Sequence, residues 1–338
     1  MRALIVSYAF APSIGGVETS SLMLAEELVR RGHEVEVATA TPRPTADTSA
    51  QTFPFPVHYR PMPWRLLGAH LRADVVLHNS LSLRFAWPLL LASRPWVIVH
   101  AAPLAATGLR HRIVAKAGNV AVSSAIARSV PAPATVIPNA YRAGIFRDAG
   151  GRDRGYAFGF LGRLVSDKGA ADLLDAVAVL GERDLRPRVA IIGDGPERAA
   201  LEAQAVRLGI SGQIDFLGPR RDREVAQALN DITCLVVPSV WNEPFGIVAL
   251  EGIACGCVVI GSQGGGLADA IGPCGLTYPN GDVGALAERL ERMLREPNLV
   301  EESRAKAAVH LARHTPEAVV DAYLDAIGAM FPQLRLRK

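Results

Sequence analysis

The residues of this chain that carry chemistry gather where apolar runs end in glycine. The stretch Gly159-Phe160-Leu161-Gly162-Arg163-Leu164-Val165-Ser166-Asp167-Lys168-Gly169 sets two cations just past such a run, at the mouth of a helical pattern. A planar guanidinium fork and a point-charge ammonium at this spacing suit a diphosphate. The plainer reading of such a pair is two solvated surface cations, and the strand-end position favours the first. The strongest pattern follows in Pro238-Ser239-Val240-Trp241-Asn242-Glu243-Pro244-Phe245-Gly246-Ile247-Val248-Ala249-Leu250-Glu251. Its two carboxylates stand eight residues apart around a Pro-Phe-Gly turn that opens a helix. Glu243 falls in the loop and Glu251 in the helix, so they are not a general acid and base sharing one face. They suit two hydroxyl-bearing parts of one ligand, with the free N–H groups of Phe245, Gly246 and Ile247 between them.

Two further glycine turns fit the same scheme. Gly15-Gly16 follows the first apolar run and precedes a helix, where backbone N–H groups accept an anion or a sugar oxygen. An ordinary tight turn explains the same dipeptide. No glycine completes GxGxxG there, which argues against a dinucleotide dehydrogenase. Ile191-Ile192-Gly193-Asp194-Gly195-Pro196 is a second strand-to-helix turn of this kind.

Positioning these groups calls for alternating strands and helices. Ala3–Val6 reads as a buried strand, Glu18–Arg31 as a helix closed by Gly32, and Glu34–Ala38 as the next strand. Strand patterns recur at Asp74–His78, Trp96–His100, Val120–Val122 and Thr135–Ile137, with Pro42–Pro63 read as loop. After a Gly-, Arg- and Asp-rich break the alternation restarts at Phe158–Leu161 and runs on to a helix over Gly284–Leu294. The expected fold is α/β, with two doubly wound parallel-sheet units in tandem. The expected organisation is residues 1–145, a linker over 146–156, a second unit over 157–314 and, over 315–338, a final helix packing back towards the first unit, with a basic tail.

Composition narrows the class. The 338 residues are 49% hydrophobic and 20% charged, which fits a globular chain of two domains. No apolar run approaches the roughly 20 residues of a spanning helix. The N-terminus reads directly into a strand, so a cytoplasmic protein is expected. Cys234, Cys255, Cys257 and Cys274 sit in apolar runs without CxxC spacing and read as reduced and metal-free. Residues 1–145 carry 14 Lys and Arg against 7 Asp and Glu, while the remainder has 22 against 26. The basic first half suits an anionic partner or surface, or else a merely solvated set of arginines.

Taken in order, these motifs resemble the retaining glycosyltransferases of family 4, which have the GT-B fold. The resemblance runs from Ala11–Glu18 and Arg31-Gly32-His33-Glu34-Val35 through Val136-Ile137-Pro138-Asn139 and Gly162-Arg163 with Lys168-Gly169. It continues over Gly193–Pro196 and Glu243–Glu251 to Pro279-Asn280-Gly281-Asp282. It implies that Arg163 and Lys168 bind the donor diphosphate and stabilise the departing nucleotide. Glu251 then holds the nucleotide ribose, and Glu243 faces the donor sugar with the amides of Phe245, Gly246 and Ile247. Gly16 resembles the glycine whose amide approaches the diphosphate, and His100 the active-site histidine near the sugar. Gly193, Gly218 and Pro219 are expected to wall the nucleobase. Gly252 departs from the alanine common after the second glutamate, a change expected to relax the helix.

The resemblance thus implies a retaining transferase that needs no metal and no cofactor, since Asp-x-Asp is absent from the sequence. The expected donor is a nucleoside diphosphate sugar, of the UDP type on family frequency. The acceptor is expected to be a glycan, a glycolipid or a small molecule, and no nucleic acid is implied. Trp64, Leu66, Leu67, Leu71 and Leu109–Lys116 suggest peripheral contact with an anionic membrane at its inner face, although core packing of these leucines is the preferred reading. A GT-B nucleotide-sugar epimerase and a non-catalytic nucleotide-sugar-binding protein stand as alternatives.

Overall fold

The computed structural model describes residues 1–13, 15–44, 52–104, 108–150 and 153–334. Ile14 of the first glycine turn and the basic tail at 335–338 lie outside the described residues. The chain forms two compact units, Met1–Ala140 with Pro316–Lys338, and Tyr141–Thr315.

In unit 1 the elements are β1 (Arg2–Ser7), α1 (Gly16–Arg30), β2 (Glu34–Thr39), β3 (Val57–Tyr59), α2 (Pro63–Arg72) and β4 (Val75–Asn79). There follow α3 (Leu83–Ala86), β5 (Trp96–His100), α4 (Leu109–Lys116), β6 (Gly118–Ala121), α5 (Ser124–Ser129) and β7 (Thr135–Val136). All pairings are parallel, in the order β3-β2-β1-β4-β5-β6-β7. The central strands are buried on both faces, and for that reason they read as continuous apolar runs. Strand β3 is a correction to the loop expected over Pro42–Pro63. All three of its residues are only half-buried, so this short edge strand leaves no apolar run to read.

In unit 2 the sequence runs β8 (Tyr156–Leu161), α6 (Ala170–Glu182), β9 (Val189–Ile192), α7 (Arg198–Arg207), β10 (Ile214–Gly218) and α8 (Arg223–Leu229). It continues with β11 (Ile232–Val237), α9 (Ile247–Ala254), β12 (Val258–Ser262), α10 (Leu267–Ile271), β13 (Gly275–Tyr278) and α11 (Val283–Arg295). Helices α12 (Pro297–Ala305) and α13 (Ala307–Leu311) close the unit. The strand order is β10-β9-β8-β11-β12-β13, again all parallel.

Helix α6 shows why the elements hold. Leu173, Leu174, Val177 and Leu180 make one buried face against Phe158, Phe160 and Ile191 of the sheet. Helix α11 packs beside it through Leu286, Leu290 and Met293, and the Asp282 carboxylate caps it by accepting from Ala285 N at 2.8 Å. Gly252 of α9 has a packing reason rather than the loosening expected of it. A Cβ there would meet the Leu235 side chain of β11, so glycine lets the helix lie close on the sheet.

The last helix, α14 (Pro316–Met330), belongs to unit 1 and packs on α1. Arg31 fixes it by pairing with Asp321 at 2.5 Å and donating to the Glu317 carbonyl at 2.8 Å. All four cysteines are free and buried, and burial pushes the Cys234, Cys255 and Cys257 thiols up to about 12. No helix among the described residues is long and apolar enough to cross a membrane.

Candidate functional site

Each sheet reverses its strand order beside its first strand, and ligands of open parallel sheets sit in the crevice at that reversal. In unit 2 the reversal lies between β8 and β11. The loop leaving β8 carries Arg163 and Lys168, and the loop leaving β11 carries Glu243.

Backbone geometry brings these two loops together. Gly169 sits at φ +69°, and a Cβ there would strike the Pro238 carbonyl, so glycine is required where the loops touch. Lys168 then reaches across, its Nζ 2.6 Å from Glu243 Oε1. The Ser239 hydroxyl, fully buried, donates to the same oxygen at 2.7 Å. The Lys168 ammonium also lies 5.3 Å from the centre of the Trp241 ring. With Oε1 doubly engaged, Oε2 is the Glu243 oxygen left to accept from a ligand. Arg163 is exposed.

Glu243 is pinned from behind. Its carbonyl accepts from Gly266 N at 2.6 Å, and it forms an isolated parallel bridge with Gly265. Asn280 ties the neighbouring turns, accepting from Gly264 N at 2.7 Å and donating to the Trp241 carbonyl at 3.1 Å. Phe245 is buried against the His314 ring, with centroids 5.8 Å apart. Gly246, at φ +101°, starts α9, and the N–H groups of Phe245, Gly246 and Ile247 face the helix mouth without a backbone acceptor among the described residues.

Glu251 stands apart from Glu243 and has its own cation. Arg142 Nη2 is 3.8 Å from Glu251 Oε1, and Arg142 Nη1 pairs with Asp222. Burial pushes the Glu251 carboxyl up to about 7, while Arg142 pulls it down and Asp222 pushes it up. Gly193 and Gly218 meet directly, Gly193 N donating to the Gly218 carbonyl at 3.0 Å. A Cβ on Gly193 would strike the Gly162 carbonyl, so its glycine serves the packing of one turn on another. Pro219 is exposed just beyond.

The other two anticipated residues, Gly16 and His100, belong to unit 1. Gly16 opens α1 and is exposed; the Glu18 carboxylate folds back over Gly15 beside it. His100 ends β5, buried, with Nε2 at 2.9 Å from Asn119 Oδ1. The Asn119 amide nitrogen donates to the Val114 and Ala117 carbonyls, which fixes its oxygen toward the ring. His100 is thereby the donor through Nε2, and burial holds its pKa below the ordinary value. At the unit 1 reversal, Asn79 donates to Ser21 Oγ at 2.7 Å, and Ser21 donates to Ser7 Oγ at 3.1 Å.

Sequence reasoning passed over Ser239, Arg142, Asp222 and Asn119. Ser239 sits within the quoted motif and was readable as a hydroxyl four residues before a carboxylate. The other three act through partners distant in sequence and left no local signal.

The paired parallel sheets of seven and six strands define a GT-B glycosyltransferase fold. Anabaena Alr3699/HepE, solved in complex with UDP, has the same fold, with a TM-score of 0.82 at 19% identity over 97% of this chain and 100% of that one. Two family models match in tandem, Glycosyltransferase Family 4 over residues 14–142 and Glycosyl transferases group 1 over residues 144–310. The chain belongs to this group 1, family 4 glycosyltransferase family. It is 29% identical over 392 residues to the D-inositol 3-phosphate glycosyltransferase of Stackebrandtia nassauensis, covering 93% of this chain and 87% of that one. A second D-inositol 3-phosphate glycosyltransferase, from Streptomyces bingchenggensis, is 36% identical over 185 residues, a match spanning 50% of this chain and 40% of that protein.

Proposed function

We propose that this glycosyltransferase moves a sugar, with retention and without a metal, from a nucleoside diphosphate donor to an acceptor hydroxyl. The observation that carries the reading is the Lys168–Glu243–Ser239 cluster at the strand-order reversal of unit 2. Lys168 and Arg163 supply positive charge for a diphosphate whose bond to the sugar C1 breaks. Glu243 Oε2 and the amides of Phe245, Gly246 and Ile247 receive the sugar hydroxyls, and Glu251 receives the ribose. The acceptor oxygen bonds to C1 on the face the diphosphate leaves, and its proton passes to the departing phosphate oxygen. Within unit 1, Gly16 offers a backbone amide at the start of α1, and His100, donating through Nε2 to Asn119, keeps Nδ1 as an acceptor.

The donor proposed is a UDP-sugar, in keeping with the UDP bound by the Anabaena relative in fold. The acceptor class is a glycan, a lipid-linked sugar or a small polyol. Peripheral membrane contact at the inner face of a cell is a second part of the reading, favoured by one surface of unit 1. Leu71 is 49% exposed, a correction to the core packing preferred for it, while Leu66 is buried. Trp64, Leu90 and Leu91 are exposed, as are Arg65 and Arg84, and in the sequence between Asp47 and Asp148 the only acid is Asp74.

The test uses UDP-glucose as donor with EDTA present and proton NMR to follow the first-formed anomer on slow transfer to water. Release of α-glucose is the expected result. Release of β-glucose overturns retention, a requirement for added divalent metal overturns metal independence, and conversion to another UDP-sugar favours an epimerase.

A further inference from the structure

We infer that Arg142, held between Asp222 and Glu251, is a positioning residue that keeps the Glu251 carboxylate ready for its ligand. This rests on the proposal that Glu251 receives the nucleotide ribose. Arg142 is constrained on three sides. Its Nη1 pairs with Asp222, its guanidinium carbon lies 5.3 Å above the ring centre of buried Phe146, and its Nε is buried without a partner. Asp222 sits at φ +46°, a left-handed conformation that costs a non-glycine residue roughly 1–3 kcal/mol.

The distances separate two kinds of carboxylate in this site. Lys168 lies within hydrogen-bond reach of Glu243 and occupies one of its oxygens. Arg142 Nη2, at 3.8 Å from Glu251, is too far to hydrogen-bond, so both Glu251 oxygens stay open to ribose hydroxyls. Arg142 therefore acts on Glu251 by charge alone. That charge matters because burial favours the neutral carboxyl, and a protonated carboxyl loses half its accepting capacity. Among the described residues, the groups facing Glu251 are Arg142 from the segment before β8, Asp222 from the β10–α8 turn, and Cys255 just past the end of its own helix. Arg142 is the cation among them.

The experiment is calorimetric titration of UDP between pH 6 and 9 on the full chain and on Arg142→Gln, Arg142→Lys and Glu251→Gln. For Arg142→Gln the expected result is affinity weakened roughly fivefold at pH 7, the effect of raising by about one unit the pKa of a group that already sits near 7 and must ionise, with recovery toward pH 9. Arg142→Lys, which keeps the charge and guards against a folding artefact, should bind near the original level. Equal weakening of Arg142→Gln at every pH, or none, while Glu251→Gln binds poorly, overturns the positioning role and leaves the ribose reading standing. Unchanged UDP affinity in Glu251→Gln overturns the ribose reading, and this inference with it.

Discussion

The two units treat their strand-order reversals differently. In unit 2 the reversal is ionic, with Lys168 on Glu243 and, alongside, Arg142 between Asp222 and Glu251. In unit 1 the hydrogen bonds at the reversal run between neutral side chains, Asn79, Ser21 and Ser7, and His100 and Asn119 pair further along the sheet. The same parallel-sheet architecture thus presents a charged edge in one case and an amide-and-hydroxyl edge in the other. A nucleoside diphosphate needs preorganised charge, whereas a sugar or polyol needs donors and acceptors without net charge. On the proposed function, the difference is the one that a division of labour between donor and acceptor would require of two similar folds.

The sharpest way to break this comparison is to remove the charge from unit 2. Lys168→Ala should lower sugar transfer by roughly 10²–10³-fold, as loss of one preorganised electrostatic contact does, with little change in melting temperature. Transfer at the original rate would leave the ionic edge without a role.

Acidification should separate the units by stability. His78 of β4 is fully buried, and burial with the nearby His70 holds its pKa at about 3, below the ordinary 6.5. The unfolded chain therefore takes up a proton that the folded unit refuses. Stability is lost as pH falls from about 6.5 toward 3, by up to a few kcal/mol. Glu251 has the opposite sign, since its folded pKa of about 7 lies above the ordinary 4.5, and its contribution is lost as pH rises through that window. Hydrogen exchange at pH 5 and pH 7 should show unit 1 opening more readily at the lower pH. Equal change in both units would contradict the assignment.

Smaller effects sharpen the picture within unit 2. Gly169→Ala places a Cβ against the Pro238 carbonyl at positive φ and should cost roughly 1–3 kcal/mol of stability, read from denaturant unfolding. Ser239→Ala removes one of two donors to Glu243 Oε1 and should slow transfer about tenfold, with Ser239→Thr retaining most of the rate.

Much of this architecture was legible because buried parallel strands are apolar on both faces. Trp96–His100 runs in the structure from the first to the last residue read for it. Two of the edge strands, β3 and β13, were not legible, since both are largely half-buried and carry no apolar run, whereas the edge strand β7 was read at Thr135–Ile137. Within the site, glycine turns and charged residues at strand ends could be read, because spacing along one loop is local information. Arg142 could not, because its partners lie 80 and 109 residues away and only folding brings them near. Gly193 shows the converse. Its glycine was legible, but the reason for it, the Gly162 carbonyl, was not.

On the proposed function, the ionic edge of unit 2 binds a nucleoside diphosphate by its own side chains. Calorimetric titration of UDP, GDP, ADP and TDP in EDTA, on the full chain and on Lys168→Ala, tests it most directly. One clear binder in EDTA, UDP, is expected, with an affinity that falls in Lys168→Ala. Binding of none of the four, or equal affinity in the variant, would contradict it.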